Sequence, residues 1–352
     1  MKAAVVKGRR RIEIEEIPTP KVRPGTLLIR PKVCAICGTD LEYVDSPGWE
    51  GQGSGPLSMV KVGSILGHEW VGEVVEIGEG VTGWSVGDRA TDIRLSCGQC
   101  YWCKRGLNHL CLGGPTRGIP HFDDGGLGTT HGAMAEYVIR SATACLKVPD
   151  SVSDEEAALT EPLNVALGAV YETGMKAADS VAILGAGHIG QLSLLASKAA
   201  GAAPVIITDK IKSRLDKALE LGADVALNVD EEENVIERVM DITEAGADIV
   251  IVCVREADVL KQATLIARRE GTIAIVGFPE AASLDPLYWI SKHLKIIGVD
   301  PLLCYGIQAM RLMQYKRVNC KPLISKIMPL EDVMLAFESL YNGENIVVLL
   351  KP

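Results

Sequence analysis

Aromatic residues are scarce in this 352-residue chain, 5% of the total against 47% hydrophobic residues. The interior must therefore be built from small and aliphatic side chains, which together with 36 glycines reads as a compact, close-packed globular enzyme rather than a disordered chain. Positive charge is also short. The 36 lysines and arginines face 45 aspartates and glutamates, for a formal net charge of −9. That balance repels phosphate backbones and anionic lipid surfaces, and no basic run reverses it locally, so neither nucleic acid nor membrane is an expected partner. Long apolar runs are missing too. The nearest approach, Val181 to Ala200, is broken by glycine, and no membrane-spanning segment is expected. Met1-Lys2-Ala3-Ala4-Val5-Val6 leads directly to Arg9-Arg10-Arg11, without the apolar stretch and small-residue cleavage site of a signal peptide. A cytoplasmic location is the expectation. There is no fixed-period repeat and no low-complexity tract.

A chain of this length exceeds one ordinary hydrophobic core, so two domains are expected. The first 150 residues are rich in glycine, proline and short β-like runs such as Leu27-Leu28-Ile29, Gly72 to Ile77 and Ala135 to Ile139. Turn signals bound them, and the pattern reads as an irregular β-barrel with few helices. From about Asp154, apolar strands alternate with helix-period stretches, which is the pattern of a parallel α/β sheet. Six candidate strands, beginning at Ser180, Pro204, Asp224, Ala247, Thr272 and Lys295, suit a doubly wound nucleotide-binding sheet. The tail holds helix-like stretches at Gly306 to Gln314 and around Leu330 to Leu340, then a strand from Asn345 to Leu350 that could return to either domain.

Gly185-Ala186-Gly187-His188-Ile189-Gly190 directly follows the strand ending at Leu184 and opens a helix-like run. In that setting the glycines permit a tight turn and close approach of backbone N–H groups to a pyrophosphate at the helix N-terminus. A carboxylate is needed near the end of the second strand for the adenosine ribose hydroxyls, and Asp209 is there. Its charge repels a 2′-phosphate and favours NAD. NADP stays open because Lys210, Lys212 and Arg214 could partly offset the repulsion. His188 reads as a surface or phosphate-proximal residue.

Cys97, Cys100 and Cys103, followed by Cys111, lie at short metal-ligand spacing. Four thiolates so close in sequence can close a tetrahedron from one loop and leave no position for substrate, which is the chemistry of a structural zinc. A second, dispersed set consists of Cys37 in Cys37-Gly38-Thr39-Asp40, His68 and Glu69 in Gly67-His68-Glu69, and Glu161 in Thr160-Glu161-Pro162-Leu163. Taken singly, each of these residues is as readily structural as metal-binding.

In order and setting these fragments resemble the zinc-containing medium-chain dehydrogenases over essentially the whole chain. Val86-Gly87-Asp88-Arg89, Gly132-Ala133-Met134-Ala135-Glu136-Tyr137 and the glycine fingerprint complete the resemblance. It is closest in kind to the branch of polyol, sugar and threonine dehydrogenases. The resemblance implies a GroES-like catalytic domain over 1–155, with the zinc lobe at 97–111. It further implies a Rossmann domain over 156–299 and a segment, 300–352, that returns to the catalytic domain. It also implies two Zn2+ per subunit and a homo-tetramer or dimer. Cys37, His68 and Glu161 would hold the catalytic zinc, and Glu69 would be a neighbouring carboxylate able to replace a ligand.

The reaction so implied is hydride transfer between a secondary alcohol or polyol and NAD, with zinc stabilising the deprotonated oxygen. Thr39 would relay the proton. Related dehydrogenases often carry a histidine three positions after this residue, where this chain has Glu42, which could take the proton, contact a polyol hydroxyl or be simply exposed. The loops Tyr43 to Gly63 and Gly113 to His131 are the expected substrate-shaping segments. Their polar, glycine-rich texture favours a hydroxylated small molecule without choosing among polyol, sugar (a sugar 1-dehydrogenase) and amino alcohol (a threonine dehydrogenase-like enzyme). A non-catalytic NAD-binding redox sensor is the reading from another class; loss of a zinc ligand or of Thr39 would favour it, and none is lost.

Overall fold

The structure is a computed structural model that describes residues 1–45, 60, 62–92, 100–111, 132–277, 279, 283–299 and 305–352, apart from the side chain of Asn108. The chain divides into two compact units. One comprises Met1–Glu161, Gly306–Gln314 and Ile324–Pro352, and the other Pro162–Tyr305 and Tyr315–Leu323. Among the described residues no helix is long and apolar enough to cross a membrane.

In chain order the first unit supplies β1 (Lys2–Gly8), β2 (Arg11–Glu16), β3 (Thr26–Ala35), β4 (Glu69–Ile77), β5 (Arg89–Asp92), β6 (Val138–Ser141) and β7 (Cys145–Lys147). The second supplies β8 (Val181–Leu184), β9 (Val205–Asp209), β10 (Val225–Asn228), β11 (Ala247–Val252), β12 (Ala267–Ile275) and β13 (Lys295–Gly298). The tail adds β14 (Ile324–Pro329) and β15 (Val347–Lys351) to the first unit.

In the first unit β1 and β2 form a hairpin, and a seven-stranded sheet runs β14-β15-β3-β4-β5-β7, with β6 also paired to β3. Trp70 and Phe337 are the largest side chains wholly buried in its core, among Leu27, Ile29, Met134 and other aliphatic residues. With so few aromatics, Trp70, Phe337 and Tyr43 anchor a core otherwise filled by aliphatic groups. The helix Asp154–Ala158 begins with a capping box, Ser153 and Glu156 each receiving the other's backbone N–H, and it packs on β3 and β4. Arg89 Nη1 donates to Asp154 Oδ1 at 2.9 Å.

In the second unit six parallel strands run β10-β9-β8-β11-β12-β13. This is the doubly wound order in which the first strand stands at the centre and its C-terminal end opens on a crevice. β8 and β9 are buried at every position, as central parallel strands covered on both faces must be. All six expected strands are present, and their C-terminal ends carry the glycine turn and Asp209.

The first unit runs to Glu161, past the expected 155/156 boundary, and the helix Asp154–Ala158 is fastened to β3, β4 and Arg89. The tail does not return as one block: Gly306–Gln314 and Ile324–Pro352 join the first unit, while Tyr315–Leu323 stays with the second. β15 continues the first sheet through Leu349 and Leu350 opposite Ala35 and Cys34. Ile36 N donates to Val348 O at 3.1 Å, so the C-terminal strand supports the chain just before Cys37. Phe337→Ala should therefore cost about 3–5 kcal/mol of stability to the first unit, measured as a lower denaturant midpoint by tryptophan fluorescence; an unchanged midpoint would contradict the role given to the tail.

Candidate active site

β3 ends at Ala35, and the chain passes through buried Ile36 and Cys37 into the helix Gly38–Asp45, which carries Thr39, Asp40 and Glu42. Leu41 N donates to Cys37 O at 3.4 Å, and Cys37 N donates to Asp40 Oδ2 at 3.0 Å. The Asp40 carboxylate also receives the backbone N–H of Gly67. One buried side chain thus ties together the two loops that bear Cys37 and His68. His68 Nδ1 lies 3.7 Å from Asp40 Oδ1, too long for a hydrogen bond but close enough for attraction when the ring is cationic. Gly67 has φ +100°, and a Cβ there would stand 2.6 Å from Cys34 Sγ and 2.9 Å from Met134 Cγ. Only glycine makes this turn, and the turn delivers His68 and Glu69 to the start of β4.

The ligand atoms of Cys37, His68 and Glu69 lie within 4.8 Å of one another. Glu161, in the first turn of the helix Thr160–Tyr171, is buried as well, and its charge is felt at Cys37, Asp40 and Glu69. The resemblance implies Glu161 as third ligand with Glu69 beside it; Glu69 lies in the tight group, and the charge of Glu161 is felt there. Burial pushes the Cys37 thiol well up, reinforced by Glu69, Asp40 and Glu161, while the Thr39 hydroxyl favours the thiolate. Burial, then Glu161, pushes Glu69 well up in the same way. Asp40 is lifted by burial to about 7, against the two backbone donors that favour its charge. A thiol and three carboxylates crowded out of water hold their charges poorly unless a cation shares the space. Sulfur, imidazole and carboxylate are also the donors that zinc takes, so the residues fit the metal. Thr39 Oγ1 is buried beside the Cys37 thiol. Glu42, three residues on, is half-buried, with Oε2 shielded from solvent.

In the second cysteine group, Cys100 Sγ is 3.5 Å from Cys103 Sγ and 3.9 Å from Cys111 Sγ. A tetrahedral zinc with bonds of about 2.3 Å has sulfur–sulfur edges of about 3.8 Å, and these separations fit. Two short 3-10 turns, Cys103–Arg105 and Asn108–Leu110, shape the loop. None of the described cysteines is in a disulfide. Cys97 lies outside the described residues, as do 46–59 and 112–131, most of the two expected substrate loops.

In the second unit, β8 runs into Gly185 at φ +105°, whose N–H donates to Thr208 O at 2.9 Å, and the helix His188–Ala199 follows. A Cβ on Gly190 would stand 1.8 Å from Gly185 O, so helix and turn meet in direct backbone contact. A Cβ on Gly187 would meet only Arg214 Nη1, at 3.9 Å, so this peptide faces open space. That is the division of labour a pyrophosphate cradle needs: close packing behind, free backbone in front. Asp209 closes β9. Its Oδ2 accepts from Ala186 N at 2.8 Å and its Oδ1 from Ile211 N at 2.9 Å. Each oxygen keeps a lone pair for a ribose hydroxyl. His188, expected at the surface or near phosphate, has a ring that burial pushes down to about 4, so it is neutral here and offers a phosphate no charge.

Two contributors escaped the sequence reading. Asp40 was visible only as part of a phrase, although its spacing from Cys37 is that of a side chain capping a helix start. Gln191 is fully buried, and its Nε2 donates to Ala186 O at 3.1 Å and Arg214 O at 2.8 Å, tying the glycine turn to the helix Lys212–Glu220.

An alcohol dehydrogenase GroES-like domain profile matches residues 23–150, and a zinc-binding dehydrogenase profile matches 189–305. L-threonine 3-dehydrogenase of Pyrococcus furiosus is 33% identical over 348 residues, covering 96% of this chain and 95% of that protein. Sorbitol dehydrogenase of Bacillus subtilis is 34% identical over 355 residues, covering 98% and 95%. The chain belongs to the zinc-containing medium-chain alcohol and polyol dehydrogenases. Among solved structures, 2R,3R-butanediol dehydrogenase from Bacillus subtilis superposes with a TM-score of 0.86 at 30% identity, covering 100% of this chain and 99% of that one. Membership in this dehydrogenase family agrees with both the acidic pocket and the dinucleotide turn.

The packing of the turn makes a test. Gly190→Ala must displace the Gly185 peptide and should cost about 1–3 kcal/mol, seen as a lower melting temperature, whereas Gly187→Ala should melt as the parent does. Equal melting of both variants would remove the close helix–turn contact.

Proposed function

We propose that this dehydrogenase oxidises a secondary alcohol or polyol with NAD and runs the reverse reduction. The observation that carries the reading is the buried convergence of Cys37, His68, Glu69 and Glu161 around a space that calls for a cation, in a chain that also holds the glycine turn with Asp209. When bound, zinc supplies Lewis acidity at the substrate oxygen, and NAD accepts the hydride.

On this reading Cys37, His68 and Glu161 would hold the catalytic zinc, with Glu69 a neighbouring carboxylate able to replace a ligand. Asp40 keeps the Cys37 and His68 loops at a fixed separation. Thr39 Oγ1 takes the proton of the substrate hydroxyl and passes it to Glu42 on the same helix. Cys97, Cys100, Cys103 and Cys111 hold the structural zinc. Gly185, Gly187, Ile189 and Gly190 cradle the pyrophosphate with Arg214 beside them, and Asp209 takes the ribose hydroxyls. The substrate is a small hydroxylated molecule; sorbitol and threonine head the panel to try, because the similar relatives bear those names.

The deciding experiment combines zinc content per subunit with NAD reduction across secondary alcohols, polyols, aldoses and threonine. Two zincs and chelator-sensitive turnover of one substrate group are expected. One zinc or none, with no turnover after zinc is restored, would favour a non-catalytic NAD-binding protein. Cys37→Ser should lose one zinc and all turnover yet still bind NADH. Cys100→Ser should lose the other zinc and chiefly lower the melting temperature. Equal unfolding of both variants would contradict the division into two sites.

The same reading places the protein in the cytoplasm as a dimer or tetramer. β13 is the outer strand of its sheet, with Ile296 exposed, and the neighbouring helix Pro286–Lys292 exposes Leu287, Tyr288 and Ile290, the last at 75%. A second copy pairing along β13 would cover the strand edge and this apolar patch together. Ile290→Glu should shift the protein to smaller species in size-exclusion chromatography with light scattering, and an unchanged mass would exclude this face.

A further inference from the structure

The residues just after β9 carry the cations Lys210, Lys212 and Arg214, and a dinucleotide with a 2′-phosphate would bring its extra charge to this rim, beside Asp209. The fate of each cation therefore decides what the rim can bind. Lys212 Nζ lies 3.0 Å from Asp216 Oδ1, four residues along its own helix, with both side chains turned to solvent. Arg214 stands with Nη1 toward Gly187, on the glycine-turn side of the rim, and among the described residues no carboxylate pairs with it. Lys210 is the cation next to Asp209 in sequence. Its Nζ is held 2.7 Å from Oε1 of Glu256, which comes from the segment following β11. The pairing raises Lys210 and lowers Glu256, chiefly through their shared hydrogen bond, so both are charged at neutral pH.

We propose that Glu256 is a cofactor-selecting residue: by holding the Lys210 ammonium, it leaves Asp209 at the ribose site without a free lysine beside it and tilts the protein toward NAD over NADP. This rests on the NAD-linked reading above and adds a residue far from Asp209 in sequence to its selectivity. The division of roles has a physical basis. Asp209 is fastened to the backbone of Ala186 and Ile211, so replacing it removes a support of the glycine turn along with its charge. Glu256 makes no such bond to the turn. Its side chain is half exposed, and its charge can be removed with the cradle intact. Selectivity against the 2′-phosphate therefore comes from two carboxylates, one repelling the phosphate directly and the other occupying the cation that would receive it.

The test measures dissociation constants of NADH and NADPH on the full-length zinc-loaded protein, by nicotinamide fluorescence or calorimetry and without substrate. Glu256→Gln should move the NADPH-to-NADH ratio toward NADPH by about fivefold, the worth of an exposed ion pair at its upper end. Adding Lys210→Ala to Glu256→Gln should cancel that gain, while Lys210→Ala alone should change the ratio by less than about twofold. An unchanged ratio in Glu256→Gln, in a protein that prefers NADH, would overturn the role of Glu256 and leave the NAD reading standing. A gain that survives Lys210→Ala would overturn it too, since the released lysine would then not be the phosphate's partner. A parent protein that binds NADPH more tightly than NADH would overturn the NAD reading itself, a result separable from either of these.

Discussion

The organising constraint of the first unit is a concentration of acidic side chains in a place that water does not reach. Cys37, Asp40, Glu69 and Glu161 are all at least nine-tenths buried around His68. Each carboxylate makes the next harder to ionise, and burial opposes all of them. Folding alone does not favour such a cluster; it persists because the surrounding architecture leaves its members nowhere else to go. β15 supports the approach to Cys37, Gly67 makes the turn before His68, and Asp40 bonds both loops from below. A cation in that space would convert mutual repulsion into shared attraction, and this is the sense in which the fold stores a metal site.

The second unit meets a different demand, that of backbone left available. Its glycine turn is rigid on one side and open on the other, and a single carboxylate connects the two functions. Asp209 stabilises the turn through Ala186 N while keeping lone pairs toward the crevice. Gln191 repeats the logic from inside the helix, bridging the turn and the chain near Arg214. Structural and ligand-binding roles are therefore fused at Asp209 and separate at Glu256. That separation is why cofactor choice can be adjusted at the second residue without loosening the first.

Much of this was legible in the sequence, for reasons that differ by element. The six parallel strands announced themselves because buried strands read as continuous aliphatic runs, and the fingerprint was credible because a strand preceded it and Asp209 followed. Short cysteine spacing marked Cys100, Cys103 and Cys111, whose sulfurs the fold holds within 4.8 Å of one another. β14 was not seen, since Ile324–Pro329 is mostly exposed and carries little apolar signal. The split tail was not seen either, because contacts between distant segments leave no local pattern. Around the candidate metal the residue types were readable, whereas the approach of Cys37 to within 4.8 Å of His68 and Glu69 is a product of folding. Asp40 and Glu256 act through long-range or backbone contacts, which no motif spells out.

Charge accounting explains why the two proposed zinc sites sit at different depths. A thiolate, a carboxylate and a neutral imidazole bring two negative charges, which a divalent zinc cancels, so that set tolerates deep burial. Four thiolates around the same ion leave a net charge of minus two, which is costly to remove from water. Accordingly Cys100, Cys103 and Cys111 are only partly buried, and Lys104 and Arg105 lie within the lobe. The fourth acidic group of the deep site is the carboxylate not engaged at a given moment, Glu69 or Glu161, and Asp40 is held by two backbone N–H groups. The deep site thus approaches neutrality when the metal is bound and the carboxylates left over keep their protons, as burial favours, whereas the lobe relies on solvent and nearby cations. Removing zinc should on this argument make the buried thiol and carboxylates of the deep site take up protons, and loosen the partly buried loop at the other.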